Sequence, residues 1–519
     1  VIPDTDVPFS DGWWLARLYF QLQDQQKHCE LLWQRYIGNP PLPHMNANQR
    51  AAVQWFVGKA RTNFERLIVN AVLSRLRIRG MRTAKDSDQG GDAEAFKVWK
   101  KTRGKMWSRE VHKYAATMGR GYVIVGKDSK GKLLVTAEDP RHVTCIVDPS
   151  DPYKVVAALK LIYNTALNRD EAYLYLPGRV RVAYRQREAA FISPLNPYNP
   201  LNFQWSVDVF DSENNLITAG ESSEPEWLQE TADREALCPV VPFVNEDGMA
   251  EFEPHIELLD RITQQVLQRM TIATIQAFKQ RAMKGLPKAD PKTGEEIDYD
   301  EIFIAEPGAI WNLPASVEIW ESGTVDLQPI LLSIRDDIKD LAAVSGTPLY
   351  TVTPDVANGS AEGASLQRET LTFKVETAMD RFGIGHELVD ELIFLTDGDE
   401  ERADPGGIEV LWGPADRPSW SERANAVAQT KGAMPVYLQL TEIIGLDPDV
   451  ADSAMTMLKQ DQTQAAAIAA ASVPRPAPGA PGAAGQATPF RKDTPPKASA
   501  DVHGLPDVTK DVADKSVAS

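Results

Sequence analysis

Across residues 326–395 the apolar positions fall into two helical stripes separated by a short run rich in Gly, Pro, Ser and Asn. Leu327, Ile330, Leu331, Ile334, Ile338 and Leu341 recur at three- and four-residue steps, so they share one face of a helix that Ser345 and Gly346 end. A second helix is predicted to open at the N-cap Ser360, with Glu362 in its first turn, and to carry Leu371, Val375, Ala378, Phe382, Val389 and Leu392 along one stripe. At 1.5 Å per residue this helix is roughly 50 Å long, with Gly383 and Gly385 as bend points. An element of that length suits a large assembly better than a compact enzyme.

Upstream, residues 11–36 have helical apolar spacing (Trp13, Trp14, Leu18, Leu22, Leu31, Trp33) and Asn39-Pro40-Pro41 stops them. Residues 48–76 form a second helical stripe. Alternation then takes over: residues 121–125 and 133–137 flank a turn containing Asp128 and Gly131, a hairpin signal, and residues 155–163, 172–176, 179–185 and 204–210 add strands. The first region, to about Val244, is therefore α+β. Residues 252–284 return to helix, with Leu259, Ile262, Val266, Met270, Ala273 and Ala277 on a narrow face that fits either an intramolecular core or contacts between copies in a ring. Gly285-Leu286-Pro287 breaks this helix, and residues 288–322 supply turns and short strands at 302–305, 309–313 and 317–320. After Leu395, residues 408–412 read as a strand returning to the first domain's sheet, followed by helices at 420–431, 434–444 and 449–469. Beyond Ala471 the chain turns to Ala, Pro, Gly and Lys, with too little apolar material for a core, so a disordered tail is expected. No internal repeat is visible.

Composition changes this picture little: 519 residues, 43% hydrophobic and 25% charged, imply a folded protein of more than one domain. Charge changes it more. The net charge is −18, yet residues 50–132 hold 20 Lys or Arg against 7 Asp or Glu. A protein that grips DNA through many phosphate contacts is basic over its binding face, and most of this chain is not. An acidic wall would instead let a duplex slide past without being trapped; the plainer alternative is that the acidic residues serve solubility. Cys29, Cys145 and Cys238 lie far apart with no C-x-x-C pair, which fits buried thiols in a reducing compartment. No apolar run approaches a bilayer span, and the polar start VIPDTDVPFSDG does not read as a signal peptide, so the expected setting is a cytoplasm or a particle built there.

Candidate catalytic chemistry is weak throughout. Gly126 to Lys132 has P-loop spacing, but Leu133 stands where Ser or Thr must ligate magnesium, and a strand rather than a helix is predicted to follow. Met118-Gly119-Arg120-Gly121 lacks the third glycine of a dinucleotide fingerprint, and Gly359-Ser360 is not a nucleophile elbow. His28, His44, His112, His142, His255, His386 and His503 show no paired metal spacing and read as surface or core residues. The basic segment 97–109, with Trp99 and Trp107, fits either nucleic-acid stacking or, better, an amphipathic helix with buried tryptophans. No enzyme activity, cofactor or metal is expected.

The run SGTPLYTVTPDVANGSAEGASLQRE, residues 345–369, resembles the tunnel-loop region of tailed-bacteriophage portal proteins, and the order of elements extends the resemblance over about residues 9–461. It implies an α+β portal fold: a wing (1–250), a stem helix (251–284), a small α/β clip insertion (285–325), a second stem helix (326–345), a tunnel loop (346–359), a long wing helix with a returning strand (360–415), a helical crown (416–470) and the tail (471–519). It further implies a ring, dodecameric in the family, at one capsid vertex of the virion, assembled in the bacterial host cytoplasm. The expected partners are double-stranded DNA in the channel, the terminase motor, a head-tail adaptor, and the major capsid and scaffolding proteins. Gly346, Thr347, Pro348, Tyr350, Thr351, Thr353, Pro354 and Asn358 would form the loop facing DNA, and Glu295, Glu296, Asp298, Asp300 and Glu301 the clip's docking patch. The readings from other classes are a packaging ATPase and a smaller kind of head-tail connector or minor capsid protein.

Overall fold

The computed structural model describes residues 5–41, 56–86, 91–128, 130–186, 206–210, 216–217, 237–277, 281–290, 293–294, 296–299, 317–321, 323–352, 361–416, 418 and 420–471. By contacts the chain divides into Val1–Met457 and Leu458–Ser519.

The first unit opens with α1 (Asp11–Tyr36), whose N-cap Ser10 accepts from the Trp13 amide at 3.1 Å. The long stripe predicted over 48–76 is interrupted. Residues 56–60 are helical, residues 61–63 are not, and α2 (Phe64–Leu73) restarts after Asn63 in a left-handed conformation (φ 51°); residues 48–55 lie outside the described residues. Then come β1 (Ile78–Arg82), α3 (Ala93–Lys101) and α4 (Gly104–Met118). The amphipathic helix expected over 97–109 is thus two helices. Trp99 lies so close over Gly104 that a Cβ there would meet its indole at 2.1 Å, so the chain turns at Arg103 (φ 62°) and starts again. Both Trp99 and Trp107 are buried, as the amphipathic reading requires.

Next, β2 (Arg120–Lys127), β3 (Leu133–Glu138) and β10 (Val240–Val244) form an antiparallel sheet in the order β10-β2-β3. The β2–β3 turn carries Asp128, whose Oδ1 accepts from the Lys130 and Lys132 amides, and Gly131 at φ +72°. A strand follows the P-loop-like spacing, so no helix N-terminus faces a phosphate there. A second antiparallel sheet holds β4 (Val143–Asp148), β5 (Asp151–Asn164), β6 (Arg169–Leu176), β7 (Arg179–Gln186), β8 (Ser206–Phe210) and β9 (Leu216–Ile217) in sequence order. The first half of α1 lays Trp14, Leu15, Leu18 and Leu22 on this sheet against Leu159, Ala172 and Leu174.

The helix predicted over 252–284 is shorter: α5 (Ile256–Ala277) ends early, and β11 (Arg281–Lys284) pairs antiparallel with β12 (Glu318–Glu321). The strands expected at 302–305 and 309–313 lie outside the described residues. Beyond β12 run α6 (Gln328–Val344), a single helical turn at Leu349–Val352, and α7 (Ala361–Asp397), 37 residues long; Ser360, its expected cap, lies outside the described residues. The glycines do not interrupt α7. Gly385 instead lets it approach β10, since a Cβ there would meet the Phe243 ring at 2.9 Å. Leu371, Val375, Ala378, Phe382, Val389 and Ile393 pack with Trp99, Trp107, Val111, Val123 and Phe243 into the largest apolar core. β13 (Glu409–Trp412) does return to the first region, but it pairs with β1 in a two-stranded ladder apart from the larger sheets.

The remainder is α8 (Trp420–Gln429), a helical turn at Val436–Leu438 running into a π-turn at Gln439–Ile443, and α9 (Pro448–Ala471). In α9 every described side chain from Leu458 to Ile468 is exposed. The tail expected beyond Ala471 lies outside the described residues. The fold is α+β.

Candidate functional site

α5 and α6 run antiparallel. Leu259 and Ile262 share a core with Leu341, Val266 and Leu267 share one with Ile334, and Gln276 Nε2 donates to the Val325 carbonyl at 2.7 Å. Between the two cores the buried Asp337 accepts from Arg261 Nε and Nη2 at 3.0 and 2.8 Å and from Gln265 Nε2 at 2.9 Å. Such a charge-assisted fork holds the two helices in one register. From α1, Arg35 donates to both carboxylate oxygens of Asp260 at 2.8 Å, with Glu65 at 3.9 Å, and burial pushes the Glu65 carboxyl above its usual range.

This support fades along the pair. Past Leu267 no described side chain of α5 is buried, and on α6 only Ile334, Asp337, Leu341 and Ala342 are. β12 is exposed along its length, with Ile319 at 51% and Trp320 at 59%, and Val325 and Leu332 are also open to solvent.

The C-terminus of α6 is closed firmly. Gly346 adopts φ +63°, the Thr347 amide donates to Ala342 O at 3.1 Å and the Gly346 amide to Ala343 O at 3.4 Å, a Schellman arrangement. Ser345 Oγ donates to Thr347 Oγ1 at 3.0 Å, and Lys374 Nζ on α7 donates to the Ser345 carbonyl at 3.0 Å while pairing with the Glu251 carboxylate at 2.7 Å. Thr347, 3% exposed, and Pro348 are therefore inside the subunit, and Gly346 shapes the turn that puts them there. The expectation of continuous loop over 346–359 fails at Leu349–Val352, which forms a helical turn packed against α2. Tyr350 belongs to this turn and Thr351 is half-buried in it. Thr353, Pro354 and Asn358 lie outside the described residues. Of the acidic set, Glu296 and Asp298 are exposed, with Glu296 bridged to Ala289 through the backbone; Glu295, Asp300 and Glu301 lie outside the described residues.

Sequence reasoning missed Lys374, Glu251 and the Arg261–Asp337 fork, because each joins positions distant in the chain and leaves no periodic trace. It also missed a buried imidazole pair. His112 Nε2 and His386 Nε2 lie 2.8 Å apart, with His112 stacked on Phe382. Burial pushes the His112 pKa down to about 3 and that of His386 well below its usual value, so both rings are neutral near pH 7 and one donates to the other. One helical turn from His386, Asp390 is 1% exposed with Oδ1 lacking a hydrogen-bond partner, and burial, with Glu387 adding to it, raises its pKa well above the carboxylate range. Among the described residues no group of three or more His, Cys, Asp or Glu is placed to hold a metal, and no helix is long and apolar enough to cross a membrane.

A family model described as "Phage portal protein, SPP1 Gp6-like" matches residues 57–467. Among solved structures, a chain from the neck of a native GTA particle computed with C12 symmetry matches at 12% identity and a TM-score of 0.36, covering 75% of this chain and 89% of its own. Comparison with curated proteins gives no match.

Proposed function

This chain belongs to the SPP1 Gp6-like family of phage portal proteins, and from that premise we propose how it works as part of the head-tail connector. Copies form a closed ring, a dodecamer by family resemblance, at one capsid vertex of the virion, assembled in the bacterial host cytoplasm. α5 and α6 are its stem, residues 285–325 with β11 and β12 its clip, residues 346–359 its tunnel loop, residues 1–250 and 360–415 its wing, and residues 416–470 its crown. Double-stranded DNA passes through the axial channel during packaging, is retained, and leaves through it. The clip docks the terminase and later the head-tail adaptor through its acidic patch; the wing meets the capsid and scaffolding proteins. ATP hydrolysis belongs to the separate motor, and this chain acts mechanically.

The observation carrying this reading is the half-packed stem. A helix pair in which α5 buries no described side chain past Leu267 and α6 none before Ile334, ending in a two-stranded ladder with Ile319 and Trp320 in solvent, is marginal alone. Neighbouring copies supply the missing cover, and a head-to-tail contact repeated by rotation closes into a ring. The anchored base of the tunnel loop supports its part of the proposal, because Lys374 and the Schellman turn hold the entry to the segment proposed to meet the duplex. Residues 346–359 contain no Lys or Arg and one acid, Asp355, the composition of a surface that slides rather than grips. Negative-stain imaging with light scattering tests the proposal: rings with an axial channel are expected, and a strictly monomeric particle over a wide concentration range would sink it.

A further inference from the structure

The turn between α3 and α4 carries a charge that no acidic side chain among the described residues answers. Lys101, Arg103, Lys105 and Arg109 are exposed, and their side chains have no acidic partner among the described residues. Neighbouring charges are already engaged: Lys97 with Glu94 at 2.6 Å, Lys113 with Glu110 at 2.7 Å, and Lys100 over the Phe96 ring at 4.5 Å. The buried Trp99 and Trp107 fix both helices from beneath, so the four cations stand on a rigid base. Concentrating unpaired positive charge in a chain of net charge −18 costs self-repulsion, which an anionic partner relieves.

We propose that this face binds the phosphate backbone of duplex DNA, as a holding contact separate from the sliding tunnel loop. The proposal rests on the portal reading, which brings the chain next to DNA. A protein partner fits less well. Protein interfaces are depleted in lysine and need an apolar centre, whereas the sole exposed large apolar side chain on these two helices is Met106. Phosphate contacts need cations and little apolar area, and they read no sequence.

The test is fluorescence anisotropy of the assembled full-length protein on a labelled duplex of about 30 base pairs across a salt series. The variant is Lys101→Gln/Lys105→Gln/Arg109→Gln, with Lys130→Gln/Lys132→Gln in the β2–β3 turn as control. The expected result is a salt slope lower by ~0.9 for each phosphate contact removed and an affinity about tenfold or more weaker at moderate salt, with the control unchanged. Lys101→Arg/Lys105→Arg should bind as the parent does. Unchanged affinity and slope in the triple variant, or an equal loss in the control, overturns the proposal. So does loss of rings with DNA affinity intact, which assigns the face to subunit contact. Imaging of the parent protein keeps these outcomes apart from failure of the portal reading, since rings in the parent support that reading whatever the variant does to DNA affinity.

Discussion

The core around α7 and the α5–α6 pair are both helical, yet they answer opposite demands. α7 buries Leu371, Val375, Phe382, Val389 and Ile393 under α4, β2 and β10 within one subunit, and even Gly385 is spent on bringing the helix against Phe243. Among the described residues α5 and α6 bury a stripe near α1, α2 and residues 56–60, and leave Ile319, Trp320, Val325 and Leu332 in solvent. If α5 and α6 are the stem, a subunit folds on its α7 core and carries that pair incompletely covered, with the stability of the first independent of covering the second. On the proposed reading, the difference separates residues that maintain the fold from residues that would contact neighbouring copies.

Phe382→Ala should break the α7 side most severely. The ring is fully buried and stacks on His112, so its loss should cost about 3–5 kcal/mol, read as a lower denaturation midpoint at unchanged slope. A loss under about 1 kcal/mol would mean the core repacks freely and the contrast is overdrawn. The α5–α6 and β12 side should behave in the opposite way. Ile319→Ser/Trp320→Ser removes apolar surface that the subunit already exposes, so melting of the monomeric fraction should stay within about 0.5 kcal/mol while rings disappear from negative-stain fields. Rings at normal yield would show that β12 is not a subunit contact.

Asp390 sharpens the same comparison through pH. Its folded pKa is raised, so the folded state holds a proton that the unfolded chain releases above the ordinary value of 3.8, and stability falls as pH rises from there toward the folded pKa. Asp390→Asn should therefore stabilise the protein by about 1–2 kcal/mol near pH 7, and the gain should vanish near pH 3, where the acid is neutral in both states. A variant equally stabilised at both pH values would refute the burial argument. His112 works in the other direction. Its folded pKa is depressed to about 3, so the unfolded chain takes up the proton first and stability is lost as pH falls below 6.5. The smallest effect belongs to truncation after Ala471, which should shift the melting midpoint by less than the error and leave rings intact, because the deleted sequence lacks the apolar content for a core. Loss of rings on truncation would give that segment a structural role.

The sequence alone determined the elements whose signal lies in neighbouring residues. The stripe of α1, the β2–β3 hairpin with Asp128 and Gly131, the pairing α5 and α6 and the long α7 were all legible, because a period of 3.6 or 2 residues is written in adjacent positions. Portal-family membership was legible from the order of those elements. Tertiary structure decided the rest. The strand Ile78–Arg82 carries two arginines and a glycine and exists because Glu409–Trp412 returns to pair with it. The break at Gly104 follows from where Trp99 lies, and the buried state of Thr347 from a lysine on another helix. His112 and His386, 274 residues apart, come within hydrogen-bond distance only because α7 passes α4. Contacts of that kind are set by how the chain reverses and packs, which no local period records.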